Sequence, residues 1–118
     1  MKKKTIAVLG STGSIGQSSL DIIKKVKEFK VELIAANKNY SKIIQQIQIF
    51  KPRFVIIYNK KVYLQIKEKY KNKNIFFLNN TSNIHKYIKK IDFTISAIPG
   101  IAGLEPTILF TKISKKIL

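Results

Sequence analysis

Apolar residues are distributed along the chain in two alternating patterns. Short continuous runs are typical of strands buried on both faces, and apolar residues recurring every three or four positions are typical of amphipathic helices. The runs that we interpret as strands are residues 5–9, 31–36, 54–57, 75–78 and 93–97, with 117–118 opening a sixth. Helical spacing lies between them. This alternation predicts an α/β fold, a Rossmann-like doubly wound parallel sheet with helices on both faces.

The sequence also predicts the buried face of the first helix and the N-cap of the second. The first is expected to bury one face against the sheet, and the residues at helical spacing on that face are Ile15, Ser19, Ile22, Ile23 and Val26. The second is expected to begin with Ser41 as its N-cap. No repeat, linker or domain boundary interrupts the pattern, so we expect one domain over residues 1–118.

The first strand runs into a glycine-rich turn at residues 10–16, which we interpret as a binding site for a dinucleotide pyrophosphate. A strand, a glycine turn and a helix N-terminus in that order bring unpaired N–H groups and a partial positive charge to one point. The glycines are spaced three apart, at Gly10, Gly13 and Gly16. Hydroxyl donors suited to phosphate oxygens stand between them, at Ser11, Thr12 and Ser14. The alternative is a tight connection that binds nothing, because this spacing is not the commoner G-x-G-x-x-G.

The end of the second strand bears on which nicotinamide cofactor is bound. NAD-binding domains of this layout place an acidic residue here for the ribose hydroxyls. The chain has Asn37, Lys38 and Asn39 instead, and Glu32 stands too early in the strand. A lysine between two asparagines suits a 2′-phosphate and favours NADPH, although a polar loop that happens to contain lysine remains open as an alternative.

The formal net charge of +17 changes this interpretation less than its size suggests. Such a charge is typical of proteins that bind nucleic acid. However, Arg53 is the only arginine, and arginine is the usual side chain for bidentate phosphate and guanine contacts. Lysine, isoleucine and asparagine all have A/T-rich codons, so drift in base composition explains the charge without a ligand. The absence of cysteine excludes disulfides and thiolate metal sites.

No constellation of catalytic or metal-binding residues is visible in the sequence. The six acidic residues stand apart from one another, at Asp21, Glu28, Glu32, Glu68, Asp92 and Glu105. Paired carboxylates of the kind that bind divalent cations are therefore not predicted. The single histidine, His85, lies alone on a predicted short helix. We expect no catalytic residue and no metal ligand in this chain.

Several motifs resemble the opening of 1-deoxy-D-xylulose 5-phosphate reductoisomerases. They are Leu9 to Gly16 with Ser19-Leu20-Asp21, Ala36 to Asn39, Lys51-Pro52-Arg53, Ala97 to Leu104 with Pro106-Thr107, and residues 115–118. The resemblance implies NADPH-dependent rearrangement and reduction of 1-deoxy-D-xylulose 5-phosphate to 2-C-methyl-D-erythritol 4-phosphate in isoprenoid precursor synthesis, with a divalent metal (Mg or Mn). By position it assigns NADPH binding to Thr12, Gly13, Ser14, Ile15, Asn37, Lys38 and Asn39.

The resemblance also sets expectations for the protein as a whole. It implies that residues 1–118 are an NADPH-binding N-terminal domain ending before the catalytic and metal domain, and that this chain alone is inactive. The complete enzyme is expected to be a cytoplasmic homodimer acting on a sugar phosphate, with no membrane and no nucleic-acid partner. Asn37 stands where the family usually has glycine, which implies a strained loop if positive φ is needed there. A free-standing nucleotide-binding module and a basic nucleic-acid-binding protein remain open as alternatives.

Overall fold

Strands and helices alternate through the whole described part of the chain. The structure is a computed structural model that describes residues 2–98 and 104–118. The elements are β1 Lys4–Leu9, α1 Ser14–Ile23, β2 Phe29–Ala36, α2 Tyr40–Phe50, β3 Phe54–Ile57, α3 Lys60–Lys69, β4 Phe76–Leu78, α4 Ile84–Tyr87, β5 Ile91–Ser96, α5 Leu104–Thr111 and β6 Ser114–Ile117. None of the helices in these ranges is both long and apolar enough to cross a bilayer.

All six strands join one parallel sheet in the order β4-β3-β2-β1-β5-β6. The chain moves outward from β1 to β4 and then returns to place β5 on the other side of β1. Right-handed crossovers put helices on opposite faces for the two directions of travel. Accordingly α1, α2 and α3 pack on one face, whereas α4 and α5 pack on the other. The predicted doubly wound α/β fold is confirmed.

The apolar run of β1 is explained by burial on both faces. Ile6 and Val8 pack beneath α1 and α2, and Ala7 and Leu9 point to the opposite core beneath α4 and α5. All four side chains are at most 2% exposed. Because β1 is the central strand, its carboxyl end stands beside the point where the strand order reverses, which is where ligands bind in sheets of this kind.

The face of α1 that packs on the sheet differs from the predicted one. Gly16, Leu20 and Ile23 are buried, whereas Ile15 and Ile22 are 65% and 67% exposed. The physical reason is the close approach of Gly16 to the preceding loop, which turns the glycine side of the helix inward. The helix also ends at Ile23, earlier than expected, and a turn leads into β2.

Two element boundaries also depart from the sequence prediction. Asn39, and not Ser41, is the N-cap of α2, because its Oδ1 accepts a hydrogen bond from the backbone N–H of Lys42 at 3.2 Å. Strand β6 begins at Ser114, three residues before the predicted opening. Its polar start is stabilised by pairing with β5 and by a 2.5 Å hydrogen bond between the hydroxyls of Thr94 and Ser114.

The amino-terminal edge of the sheet is held together by Asp92 at the start of β5. Its carboxylate accepts hydrogen bonds from the backbone N–H of Thr5 at 2.8 Å and from the Thr5 hydroxyl at 3.3 Å. Lys115 of β6 lies 3.4 Å from the other carboxylate oxygen. The Thr5 hydroxyl in turn accepts from the backbone N–H of Asp92 at 3.1 Å. One acidic side chain therefore links three neighbouring strands.

Candidate functional site

A cavity of about 430 Å³ opens at the carboxyl edge of the sheet, where the strand order reverses. Its size falls within the range of roughly 300–1,000 Å³ typical of small-molecule sites. The exits of four strands and one residue of α5 form its walls: Gly10, Thr12 and Gly13 after β1, Ala35, Ala36 and Asn37 at β2, Tyr58 after β3, Ala97 and Ile98 after β5, and Pro106. The glycine turn and the Asn37 loop therefore meet at one cavity.

The shape of the glycine turn depends on two of its three glycines. Gly10 has φ +80°, and a Cβ on it would lie 2.9 Å from the carbonyl of Ala97. A Cβ on Gly16 would lie 2.1 Å from the Gly10 carbonyl oxygen. The turn is thereby pressed between β5 and α1, and its start is held by hydrogen bonds from the N–H groups of Gly10 and Ser11 to the Ala35 carbonyl.

Gly13 differs from the other two glycines because nothing in the described protein crowds it. A Cβ there would meet only the Gly10 carbonyl oxygen, at an ordinary 3.7 Å. Gly13 is exposed and borders the cavity. A missing side chain at such a position leaves room for a ligand to approach the backbone closely.

The N-terminus of α1 faces this edge without a side-chain cap. Gly13 is its N-cap and supplies only its carbonyl, which accepts from Gln17 N–H at 2.9 Å, and no acidic residue stands in the first turn. By contrast, α2 and α3 are capped by the side chains of Asn39 and Asn59. The first-turn N–H groups of α1 thus have no acceptor within the described residues and carry the positive end of the helix dipole, which favours an anion.

The hydroxyl groups of the turn are not equivalent. Thr12 is half-buried and lines the cavity, while Ser14 is exposed at the head of α1. Ser11 is fully buried and does not line the cavity, so its hydroxyl is not placed to donate to phosphate as the sequence suggested. Its Oγ has no hydrogen-bond partner among the described residues.

The 37–39 loop lies beside the glycine turn on the exit of β2. Asn37 borders the cavity, and Lys38 and Asn39 are exposed next to it. Because Asn39 uses Oδ1 to cap α2, its Nδ2 amino group is left to donate to a ligand. Asn37 does not adopt positive φ, so the strain implied by the missing family glycine is absent. Glu32 stays far from this edge, paired with Lys30 at 3.6 Å.

The cavity is also lined by residues that the sequence analysis did not assign to the site. Tyr58 follows β3 directly, and its place in the cavity follows from the position of β3 beside β2. Pro106 approaches from α5, where the hydroxyls of Thr107 and Ser96 are hydrogen-bonded at 2.6 Å. Ile98, which follows β5 in the motif from Ala97 to Leu104, lines the cavity, and residues 99–103 of that motif lie outside the described residues.

A metal centre is not assembled by the part of the chain that the structure describes. No group of three or more histidine, aspartate or glutamate side chains there lies close enough together to hold an ion. The pKa of Lys90 is lowered chiefly by neighbouring Lys115, and the pKa of Asp92 is lowered chiefly by the backbone N–H of Thr5; both groups lie at the opposite edge of the sheet. At the carboxyl edge, the uncapped N-terminus of α1 and the exposed Lys38 next to Asn37 favour an anionic ligand.

Comparisons with known proteins agree with this geometry. The family model for 1-deoxy-D-xylulose 5-phosphate reductoisomerase matches residues 6–118. The reductoisomerase of Pelagibacter ubique is 42% identical over 118 residues, which cover 97% of this chain and 30% of that protein. The Zymomonas mobilis reductoisomerase, solved in complex with NADPH, superposes with a TM-score of 0.80 at 27% identity, over 92% of this chain and 29% of that one.

A second solved reductoisomerase, described with fosmidomycin and magnesium, gives a TM-score of 0.84 at 25% identity over 98% of this chain and 30% of the other. The chain thus spans about 30% of the length of the relatives that it matches. The family match extends over nearly every residue and agrees with the strand order and the glycine turn. The chain belongs to the 1-deoxy-D-xylulose 5-phosphate reductoisomerase family.

Proposed function

We propose that this chain binds NADPH at the carboxyl edge of its sheet and constitutes, over residues 1–118, the cofactor domain of a 1-deoxy-D-xylulose 5-phosphate reductoisomerase. The observation that carries the proposal is the glycine turn: Gly10 and Gly16 force the backbone into a tight cradle, and the uncapped N-terminus of α1 opens onto it. A diphosphate supplies the acceptors that this helix end lacks.

Each predicted site residue has a part in this proposal. Backbone N–H groups of Thr12, Ser14 and Ile15 bind the pyrophosphate. Gly13 donates its own N–H to the Gly10 carbonyl at 3.3 Å, and its part is the absence of a Cβ, which admits the phosphate oxygens. Lys38 pairs with the 2′-phosphate, while Asn37 and Asn39 donate hydrogen bonds to the phosphorylated ribose. These three residues follow Ala36 directly at the cavity wall, one strand away from the glycine turn.

The activity of the complete protein is a wider proposal, supported by the family. It is the NADPH-dependent conversion of 1-deoxy-D-xylulose 5-phosphate to 2-C-methyl-D-erythritol 4-phosphate, by a cytoplasmic homodimer that uses a divalent metal. Bound NADPH supplies the hydride for the reduction. The residues described in this chain bind and orient the cofactor, and we assign no catalytic or metal role to them, so the chain by itself is proposed to be inactive.

Ligand-dependent thermal unfolding of the chain tests the cofactor assignment. NADPH at about one hundred times its Kd is expected to stabilise the fold by about 2.7 kcal/mol, a rise in Tm of about 10 °C. NADH at the same concentration is expected to give a much smaller rise, because it lacks the 2′-phosphate. An equal rise in Tm with NADPH and NADH would contradict the pairing of Lys38 with the 2′-phosphate.

A short DNA duplex, added at about 50 and 200 mM salt, separates the remaining alternatives. Binding to DNA that weakens steeply with salt, together with no response to either nicotinamide, would favour a basic nucleic-acid-binding protein. No response to any of the three ligands would contradict the proposed function, because the glycine turn would then be only a structural connection.

A further inference from the structure

One buried glutamine connects α2 to the glycine turn. Helix α2 carries three glutamines, Gln45, Gln46 and Gln48, and only Gln46 is buried, at 6% exposure. Its Nε2 donates a hydrogen bond of 2.8 Å to the backbone carbonyl of Ser11, 35 residues earlier in the chain. The contact therefore joins a helix that follows β2 to the loop that follows β1.

This hydrogen bond determines the direction of a donor at the cavity. A trans peptide unit is planar, so the Ser11 carbonyl and the Thr12 N–H point in opposite directions. Holding the carbonyl towards Gln46 therefore turns the Thr12 N–H away from α2. Thr12 lines the cavity, and its N–H donates to no acceptor among the described residues. The Thr12 carbonyl is held separately, by Gln17 Nε2 at 2.6 Å.

The arrangement leaves two polar atoms buried without partners among the described residues, Ser11 Oγ and Gln46 Oε1. A buried polar atom that lacks a hydrogen bond costs free energy, and packing alone would favour an apolar residue at position 46. Glutamine at position 46 is better explained by its Nε2 donor, because an apolar side chain could not donate a hydrogen bond to the Ser11 carbonyl.

The same helix also carries the other half of the proposed cofactor site. Asn39 caps the N-terminus of α2, and Gln46 lies about two helical turns further along. Because a helix is a rigid element, the hydrogen bond from Gln46 to Ser11 sets the spacing between the glycine turn and the loop that holds Lys38.

We propose that Gln46 is a positioning residue for the dinucleotide, acting through the Ser11–Thr12 peptide. It directs the Thr12 N–H at the pyrophosphate and holds the glycine turn in register with the 37–39 loop. The inference rests on the proposed function, because it concerns the binding of NADPH at the same site.

The test compares Gln46→Met with Gln45→Met, a matched change at an exposed neighbour on the same helix. Two ligands are titrated into each chain: NADPH, which has the pyrophosphate, and adenosine 2′-monophosphate, which carries the 2′-phosphate alone. Gln46→Met is expected to weaken NADPH binding about tenfold, the upper range for loss of one hydrogen bond, and to leave binding of the monophosphate within about twofold. Gln45→Met is expected to change neither.

A purely structural role for Gln46 would weaken both ligands equally, and that result would overturn the proposal. So would a Gln46→Met chain that binds NADPH as tightly as the Gln45→Met control. If the parent chain fails to bind NADPH, the proposed function fails and takes this inference with it; that outcome is seen before any variant is compared.

A measurement on the parent chain keeps the proposal testable if Gln46→Met does not fold. The amide proton resonance of Thr12 is followed by NMR during the same two titrations. It is expected to shift when NADPH is added and to stay in place with adenosine 2′-monophosphate. A Thr12 amide that does not respond to bound NADPH would overturn the assignment.

Discussion

A Cβ atom placed on Gly16 would lie 2.1 Å from the carbonyl oxygen of Gly10, well inside van der Waals contact. The two residues belong to different parts of one turn, Gly10 at its start and Gly16 in the first turn of α1. Their approach sets the height of the α1 N-terminus above the end of β1. This contact therefore shapes the cradle in which the pyrophosphate is proposed to bind.

Gly16→Ala is expected to destabilise the fold by about 3 kcal/mol, the upper end of the range for overpacking, because the obstructing atom is backbone and cannot rotate away. Urea unfolding followed by circular dichroism measures the change. Loss of less than about 1 kcal/mol would show that α1 can shift outward at little cost.

Gly13→Ala provides the contrasting change within the same turn. Its φ of −77° suits alanine, and the nearest obstacle is 3.7 Å from the new Cβ, so the free energy of unfolding is expected to stay within about 1 kcal/mol of the parent value. The added methyl group stands where the diphosphate approaches, and NADPH affinity is expected to fall about tenfold. Calorimetric titration checks this, and unchanged affinity would place the pyrophosphate elsewhere.

Lys38→Met is expected to reduce the preference for NADPH over NADH. Removing the cation should weaken NADPH binding about tenfold, since a charge-assisted hydrogen bond is worth about 1.5–3 kcal/mol when buried and less at an exposed site. Binding of NADH should change little. The control is Lys27→Met, which makes the same change in net charge at an exposed position between α1 and β2. Equal effects of the two substitutions would indicate a general attraction by the net charge.

Asp92 is expected to make the stability of the fold depend on pH in acid. The backbone N–H of Thr5, together with Lys115, holds the pKa of the Asp92 carboxyl below its usual range, against the opposing effect of burial. A lowered folded-state pKa means that the contribution is fully present above the unfolded-state value of about 3.9 and is lost as pH falls through the folded-state pKa.

The measurement is the free energy of unfolding of the parent and of Asp92→Asn as the pH falls from about 5 to about 2, through and below the unfolded-state pKa. The slope against pH is expected to be shallower for Asp92→Asn. Glu68→Gln is a suitable control, because Glu68 is 72% exposed and pairs only with Lys71 in the described structure. Parallel curves for parent and Asp92→Asn would contradict the prediction.

Most of the strands, and the meeting of the glycine turn with the 37–39 loop at one edge of the sheet, were predictable from the chain alone. Burial on both faces demands apolar residues at successive positions, so β1 and β3 are recognisable in the sequence as continuous apolar runs. β2 and β5 are recognisable from apolar runs that polar residues interrupt, Glu32 in β2 and Thr94 in β5. Parallel strands bring their carboxyl ends to one edge, which places the glycine turn and the 37–39 loop together without coordinates. The placement of these two loops beside one cavity follows from local pattern and general topology.

Other features depended on how the elements pack together. The buried side of α1 is set by the approach of Gly16 to Gly10, although isoleucines at Ile15 and Ile22 suggested another face. Strand β6 has a polar sequence and forms because it pairs with β5. Neither feature has a signal in local hydrophobicity, because the first is set by a backbone contact within the glycine turn and the second by pairing with another strand.

The sequence by itself determined the alternation of strands and helices, the glycine turn and the lysine-bearing loop, because each depends on the identity of neighbouring residues. Only the tertiary structure decided which face of α1 is buried and that the Ser11 side chain lies outside the cavity. It alone also decided that Gln46 of α2 donates a hydrogen bond to the Ser11 carbonyl. The physical reason is that hydrogen bonds and close contacts across 35 residues of chain depend on how the elements pack together.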